Sequence, residues 1–196
     1  MALTSIGPTT LNIVVPALPN LANRLASDVG TIQLIVSIYL LAMAAGQLLM
    51  GSLSDRFGRR PVLIVALSVT AGASVSAVLI STVESLIAAR ILQAVGASAG
   101  VVISRAIIRD LFDRNRAASM LGLVATVMAV VPTLGPLIGG LLETGFGWEA
   151  IFLFTAITST LVVTWAAITL PETRGLNVQH GAREGFFRDL ARLSRS

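Results

Sequence analysis

The chain has 196 residues, 55% of them apolar and only 12% charged, with a mean hydropathy of +0.85. Soluble domains carry roughly 25% charged residues, so this composition excludes an ordinary globular protein and points to one whose solvent is lipid. The net charge of +4 comes from 14 basic residues, all arginine, against 10 acidic ones; the arginines follow loop position rather than forming a patch for nucleic acid, and the lack of cysteine excludes disulfides and thiolate metal sites.

Residues 1–23 are uncharged and contain Pro8, Pro16 and Pro19, which predicts a kinked first membrane helix ending near Leu21. That span is short at its start, so either it begins at the first methionine or further chain precedes it; the absence of a basic leader argues against a signal peptide. A loop from Asn20 to Gly30 follows. The second helix is expected from Thr31 to Gly51 and the third from Pro61 to Ser81, both within uncharged runs longer than the roughly 20 residues a bilayer requires. After a short turn with Glu84, helix four runs from Ser85 to Ile108 and carries Arg90, Gln93 and Arg105. A second loop, Arg109 to Arg116, leads to an uncharged fifth span, Ala117 to Leu142. A turn over Glu143 to Glu149 leads to the sixth, Ala150 to Pro171. Residues 1–171 therefore form an all-α domain of six transmembrane helices. Residues 172–196 begin as a polar linker, and Phe186, Phe187, Leu190 and Leu193 then share one stripe, as expected of a short amphipathic helix at the membrane surface.

Arginine placement orients the chain. Eleven arginines lie on the side reached after helices two, four and six, against Arg24 alone on the other, with Arg90 and Arg105 inside helix four. By the positive-inside rule both termini are cytoplasmic and residues 172–196 belong to a cytoplasmic loop.

The first cytoplasmic hairpin reads Gly51-Ser-Leu-Ser-Asp55-Arg56-Phe-Gly58-Arg59-Arg60-Pro61. Gly58 suits the positive φ of a tight reversal, Gly51 is expected to admit a neighbouring backbone, and Pro61 fits the first turn of a helix because its missing donor is unpaired there anyway. The pattern G-x-L-x-D-R-x-G-R-R-P after a second membrane helix resembles the signature loop of the major facilitator superfamily of secondary transporters. The resemblance implies one half of that fold: six helices in a 3+3 inverted repeat, with the substrate site at mid-membrane between this half and a missing C-terminal six-helix half or a partner chain. It also implies a cytoplasmic gating loop in which Asp55, Arg59, Arg109 and Asp110 join in a charge network; independent solvated charges are the alternative.

In helix four, Arg90-Ile-Leu-Gln93-Ala-Val-Gly-Ala-Ser resembles the superfamily's R-x-x-Q-G-x-G-A motif, with Ala94 in place of glycine. The resemblance implies a role for Arg90 in proton coupling. An arginine near the centre of a membrane helix costs about 2.5 to 3.5 kcal/mol on insertion scales, so Arg90 requires a partner, a wet cavity, or a snorkelling path to the headgroups. Gly96, Gly100 and Ser104 form a small-residue stripe suited to close helix packing. In helix five, Gly135-Pro136-Leu-Ile-Gly139-Gly140 resembles the G-P-x-x-G-G motif of proton-driven exporters. As physics it is a kinked helix with a small packing face.

The run Asn12-Ile-Val-Val-Pro16-Ala-Leu-Pro19 in the first helix resembles the bicyclomycin and chloramphenicol resistance branch (Bcr/CflA type), but Asn12 stands where that branch commonly has an acidic residue. Residues Ile103 to Phe112 resemble the same branch. Asn12 cannot exchange a proton, so any coupling carboxylate lies elsewhere; Asn12, Arg90 and Gln93 are the expected wall of the transport cavity. No Walker loop or metal-ligand cluster is present, and the one histidine, His180, lies in the polar tail, so no enzyme and no cofactor is expected. What the resemblance implies is proton-coupled efflux of small amphipathic drugs across the inner (plasma) membrane by alternating access. Its energy source is an ion gradient, and its partners are a drug-like small molecule and the bilayer, with no nucleic acid. An importer or facilitator of the same superfamily, and a truncated non-transporting membrane subunit, remain open alternatives.

Overall fold

A computed structural model describes residues 2–79 and 82–170. Among these the chain is helical, with no strand: α1 (Ala2–Asn12), a 3-10 turn (Val15–Ala17), α2 (Leu18–Arg24), α3 (Val29–Phe57), α4 (Arg59–Val78), α5 (Val83–Leu111), α6 (Arg114–Phe146) and α7 (Trp148–Thr169). Five of these helices, α3 to α7, are each long and apolar enough to span a bilayer. The first span is composite. Pro16 and Pro19 lack the N–H groups that would continue the helical ladder, so the chain narrows to a 3-10 turn and resumes as α2. The segment from Glu172, with its expected surface helix, lies outside the described residues.

The helices run further than expected. The second span continues through Asp55 and Arg56 to Phe57, and the next begins at Arg59, so only Gly58 stands outside helical geometry in what was expected to be a loop. Its backbone, at φ 104° and ψ 149°, lies in a region open only to glycine and reverses the chain in one residue. The second loop likewise shrinks to Phe112 and Asp113, because the Asp113 carboxylate accepts the Arg116 backbone N–H and starts α6 at once. The expected turn over Glu143 to Glu149 is helical through Phe146 and reverses at Gly147, φ 87° and ψ 171°. Polar residues continue these helices beyond the hydrocarbon because intrahelical bonding stays favourable once water is reached.

The 3+3 repeat is visible in how these elements join. In each set of three, a first span is followed by a short link ending in a capping aspartate (Asp28, then Asp113), a long helix, a one-glycine corner (Gly58, then Gly147) and a third helix. Packing follows the same plan: α1 lies against α6 as α3 lies against α5, and α4 packs on α7.

α5 is the central helix, with 67% of its span buried against 11% for α6 and 22% for α3. Small residues let its neighbours approach. A Cβ on Gly96 would stand 2.3 Å from the Ala66 carbonyl oxygen of α4, and one on Gly100 2.2 Å from the Leu3 carbonyl oxygen of α1. Gly51 does not act in this way. A Cβ there would meet only the Val102 side chain at an ordinary 3.7 Å, and the close α3 to α5 approach occurs instead at Gly46, beside Ser98 and the Val95 Cα. The apolar core divides into one layer around Leu21, Ile35, Leu86 and Phe152 and another around Leu3, Leu63, Leu67 and Ile103. Between them lies a patch of Tyr39, Met43, Ala94 and Val101.

Candidate functional site

Arg90 lies seven residues into α5, about 10 Å from its start at 1.5 Å per residue, and is fully buried. It does not snorkel. One guanidinium nitrogen, Nη1, donates to the Thr10 carbonyl of α1 at 3.1 Å and to Gln93 Oε1 at 3.2 Å. The guanidinium carbon also lies 4.7 Å from the centroid of the Tyr39 ring and 5.9 Å from that of Phe152. Hydrogen bonds to charged groups contribute about 1.5 to 3 kcal/mol each and a desolvated cation on an aromatic face about 2 kcal/mol, so these contacts offset much of the cost of placing the charge here. Four spans thereby meet at one permanent charge.

The shell around it is also held. Gln93 Nε2 donates to Ser74 Oγ at 2.8 Å, Ser74 donates to the Thr70 carbonyl at 2.7 Å, and the Tyr39 hydroxyl donates to the Gly7 carbonyl at 3.0 Å. Arg90 Nε and Nη2 have no hydrogen-bond partner among the described residues. A cation with three unused N–H bonds, one on Nε and two on Nη2, can receive a carboxylate or another acceptor brought to it, whereas it does not itself exchange protons at physiological pH. Every carboxylate of the described residues lies in a link or in an end turn of its helix.

Of the expected cavity residues, Arg90 and Gln93 are brought together but sealed inside the bundle. Asn12 is partly buried on α1, where its amide donates to the Pro8 carbonyl at 2.8 Å, a local bond that leaves it outside the Arg90 contacts. It sits beside the exporter-motif helix. A Cβ on Gly135 would meet Asn12 Cβ at 2.7 Å, and one on Gly139 would stand 2.0 Å from the Ile13 carbonyl oxygen. The motif therefore clasps the broken point of the first span, with α6 continuous through Pro132 and Pro136; a Cβ on Gly140 would meet nothing within 4 Å.

At the Gly58 corner, Arg59 joins three helices. It contacts Asp55 of α3 at 2.7 Å, donates through Nε to Asp110 of α5 at 2.9 Å, and donates to Ser54 Oγ at 3.1 Å. Arg60 reaches the Ala167 carbonyl of α7 at 2.5 Å. Asp55, Arg59 and Asp110 thus share one cluster, centred on Arg59. Arg56 lies against Phe57, 5.3 Å from the ring centroid, and Arg109 is exposed one residue before Asp110. Arg59 and Asp110 are nearly buried while Asp55 stays 67% exposed.

The aromatic partners of Arg90 were not picked out from the sequence, although one signal was present. Tyr39 is the sole tyrosine in the chain and lies in an otherwise uncharged span.

A family model for the Major Facilitator Superfamily matches residues 1–195. The chain belongs to the major facilitator superfamily. Among its relatives is a chloramphenicol resistance protein of Pseudomonas aeruginosa, 40% identical over 173 residues, which cover 88% of this chain and 41% of that protein. Multidrug resistance protein D of Escherichia coli K12 is 37% identical over 172 residues, 88% of this chain and 44% of that protein. Multidrug resistance protein MdtL of Shewanella sp. ANA-3 is 34% identical over 166 residues, 85% of this chain and 42% of that protein. The chain thus spans less than half the length of these superfamily relatives. It is a multi-pass membrane protein with the all-α architecture of one superfamily half.

Proposed function

We propose that this chain is the N-terminal half of a secondary active exporter that moves small amphipathic, drug-like molecules out of the cell by alternating access, driven by a proton gradient. The observation that carries the reading is the buried Arg90, held by α1 and α5 under two aromatic rings with two donors unused. A fold that keeps such a charge inside a membrane bundle with donors unpaired uses it. The chloramphenicol and multidrug resistance relatives support a drug-like substrate, and the resemblance of Gly135 to Gly140 to the motif of proton-driven exporters supports outward transport. Arg90 acts by receiving the acceptor group that carries the proton or the substrate, and Gln93 and Tyr39 position it. Asn12 lines the adjoining wall.

A second six-helix unit, in the same chain or a partner, completes the transporter. It covers the sparsely buried faces of α3 and α6 and receives the exposed Asp55, whose carboxylate suits a helix N-terminus. The protein resides in the inner (plasma) membrane with both termini in the cytoplasm, a reading the arginine bias supports. It uses no cofactor and no nucleic acid, and it catalyses no reaction. Drug accumulation in cells expressing the protein with its second unit tests this reading. Accumulation of chloramphenicol and of amphipathic cations should fall relative to control cells and recover when a protonophore collapses the gradient. Equal accumulation with and without the protein refutes export.

A further inference from the structure

The Gly58 corner has a counterpart at the other end of the bundle. Counting back from the two reversal glycines, Gly51-x-Leu53-x-x-x-Phe57-Gly58 is matched by Gly140-x-Leu142-x-x-x-Phe146-Gly147. Both glycines have positive φ, and both N–H groups close the preceding helix on the carbonyl four residues back, Ser54 in one case and Glu143 in the other. The two segments join equivalent helices of the two repeats, so they lie at opposite membrane faces.

The surrounding contacts match as well, with the signs of charge reversed. At the Gly58 corner a cation at the start of α4, Arg59, holds an anion at the end of α5, Asp110, and a hydroxyl near the end of α3, Ser54. At the Gly147 corner the third helix carries the anion and the other repeat's first span the cation: Glu149 at the start of α7 pairs with Arg24 at the end of α2 at 3.9 Å. Glu143, which occupies the position of Ser54, accepts a hydrogen bond from the Asn20 amide of α2. Trp148, which occupies the position of Arg59, is buried with its ring 6.0 Å from the Arg24 guanidinium and edge-on to Phe152 at 5.8 Å. In both corners the end of one repeat's first span is tied to the second and third helices of the other repeat.

We infer that Asn20, Arg24, Glu143, Trp148 and Glu149 form a second clasp, which locks the two three-helix repeats together at the face opposite the signature corner. An exposed ion pair such as Arg24 with Glu149 is weak alone. Here it acts with a buried indole and a second polar contact on the same short helix; α2 is a seven-residue segment cut off from α1 by prolines, and these contacts add to the core packing of Leu21 and Ala22 that holds it. The clasps differ in one respect. The position of Asp55 is taken by Thr144, so the second clasp lacks the exposed carboxylate that the first extends outward. It binds repeat to repeat only, and this role stands apart from whether the protein exports a drug.

Hydrogen exchange on the chain in lipid nanodiscs tests the inference. Glu143→Gln combined with Glu149→Gln should speed exchange of the 18–25 amides by about threefold or more and leave residues 54–60 unchanged. Asp110→Asn should do the reverse. Arg24→Glu should loosen residues 18–25, and adding Glu149→Arg should restore at least half of the lost protection. Raising salt from about 0.05 M to about 1 M should weaken protection at 18–25 in the unaltered chain, which reads the clasp without any substitution. Unchanged exchange at 18–25 in the double glutamine variant, equal loosening of both corners, no recovery on charge exchange, or salt-independent protection would each overturn it.

Discussion

Replacing Gly139 by alanine should drive the first and fifth spans apart, whereas the same replacement one residue later should not. A Cβ at position 139 would stand 2.0 Å from the Ile13 carbonyl oxygen and 2.9 Å from its carbon, against an ordinary contact of 3.4 Å or more. Relief requires a separation of about 1.4 Å. Both sides are backbone, so no rotamer change can supply it, and overpacking of this kind costs about 1 to 3 kcal/mol. Alanine recovers up to about 1 kcal/mol of helix propensity, leaving a net loss of up to about 2 kcal/mol. At Gly140 nothing lies within 4 Å, so Gly140→Ala keeps the propensity gain without the clash. Thermal unfolding of the two variants in the same detergent or bilayer reads the difference: Gly139→Ala should melt below the unaltered protein, and Gly140→Ala at or above it. If both variants melt alike, the close contact between α6 and the break in the first span is not what the glycine serves.

Two further outcomes follow from the helix ends. A double-mutant cycle on Arg59→Ala and Asp110→Ala should give a coupling of about 1 to 2 kcal/mol in unfolding measurements. Arg59→Lys should not substitute, because an ammonium lacks the planar fork that spans Asp55, Asp110 and Ser54. At the start of α3, hydrogen bonds from the Thr31 hydroxyl and backbone N–H hold the Asp28 carboxyl below its ordinary value of 3.8. Because the folded value is the depressed one, the cap's contribution is complete above 3.8 and is lost as pH falls through the lower folded value. Exchange at the first turn of α3 should therefore accelerate only on acidification below about pH 4, and Asp28→Ala should remove that dependence.

Much of the fold was legible because lipid imposes length. Uncharged runs bounded by arginine have one helical solution in a bilayer, so the number and order of spans could be read directly. The ends could not. A charge run such as Asp55 to Arg60 reads as loop, yet an intrahelical ladder needs only one glycine to turn, and capping by Asp28 and Asp113 starts the next helix without further chain. The motif residues told which positions mattered but not what they touch. Gly139 was expected to face a neighbour, and the structure supplies the break in the first span. Gly51 was expected to do the same and does not. Tyr39 and Phe152 lie fifty or more residues from Arg90 in sequence, and no local pattern marks an aromatic ring as the cover of a distant cation.

The most direct test of the account is proton-coupled drug flux in everted membrane vesicles, comparing the protein and its second six-helix unit with the same assembly carrying Arg90→Ala. Adding drug should dissipate an imposed pH gradient in vesicles with the unaltered protein and not in those with the variant, at equal amounts of folded protein in the membrane. Gradient dissipation undiminished by Arg90→Ala would contradict the assignment of transport to the buried arginine.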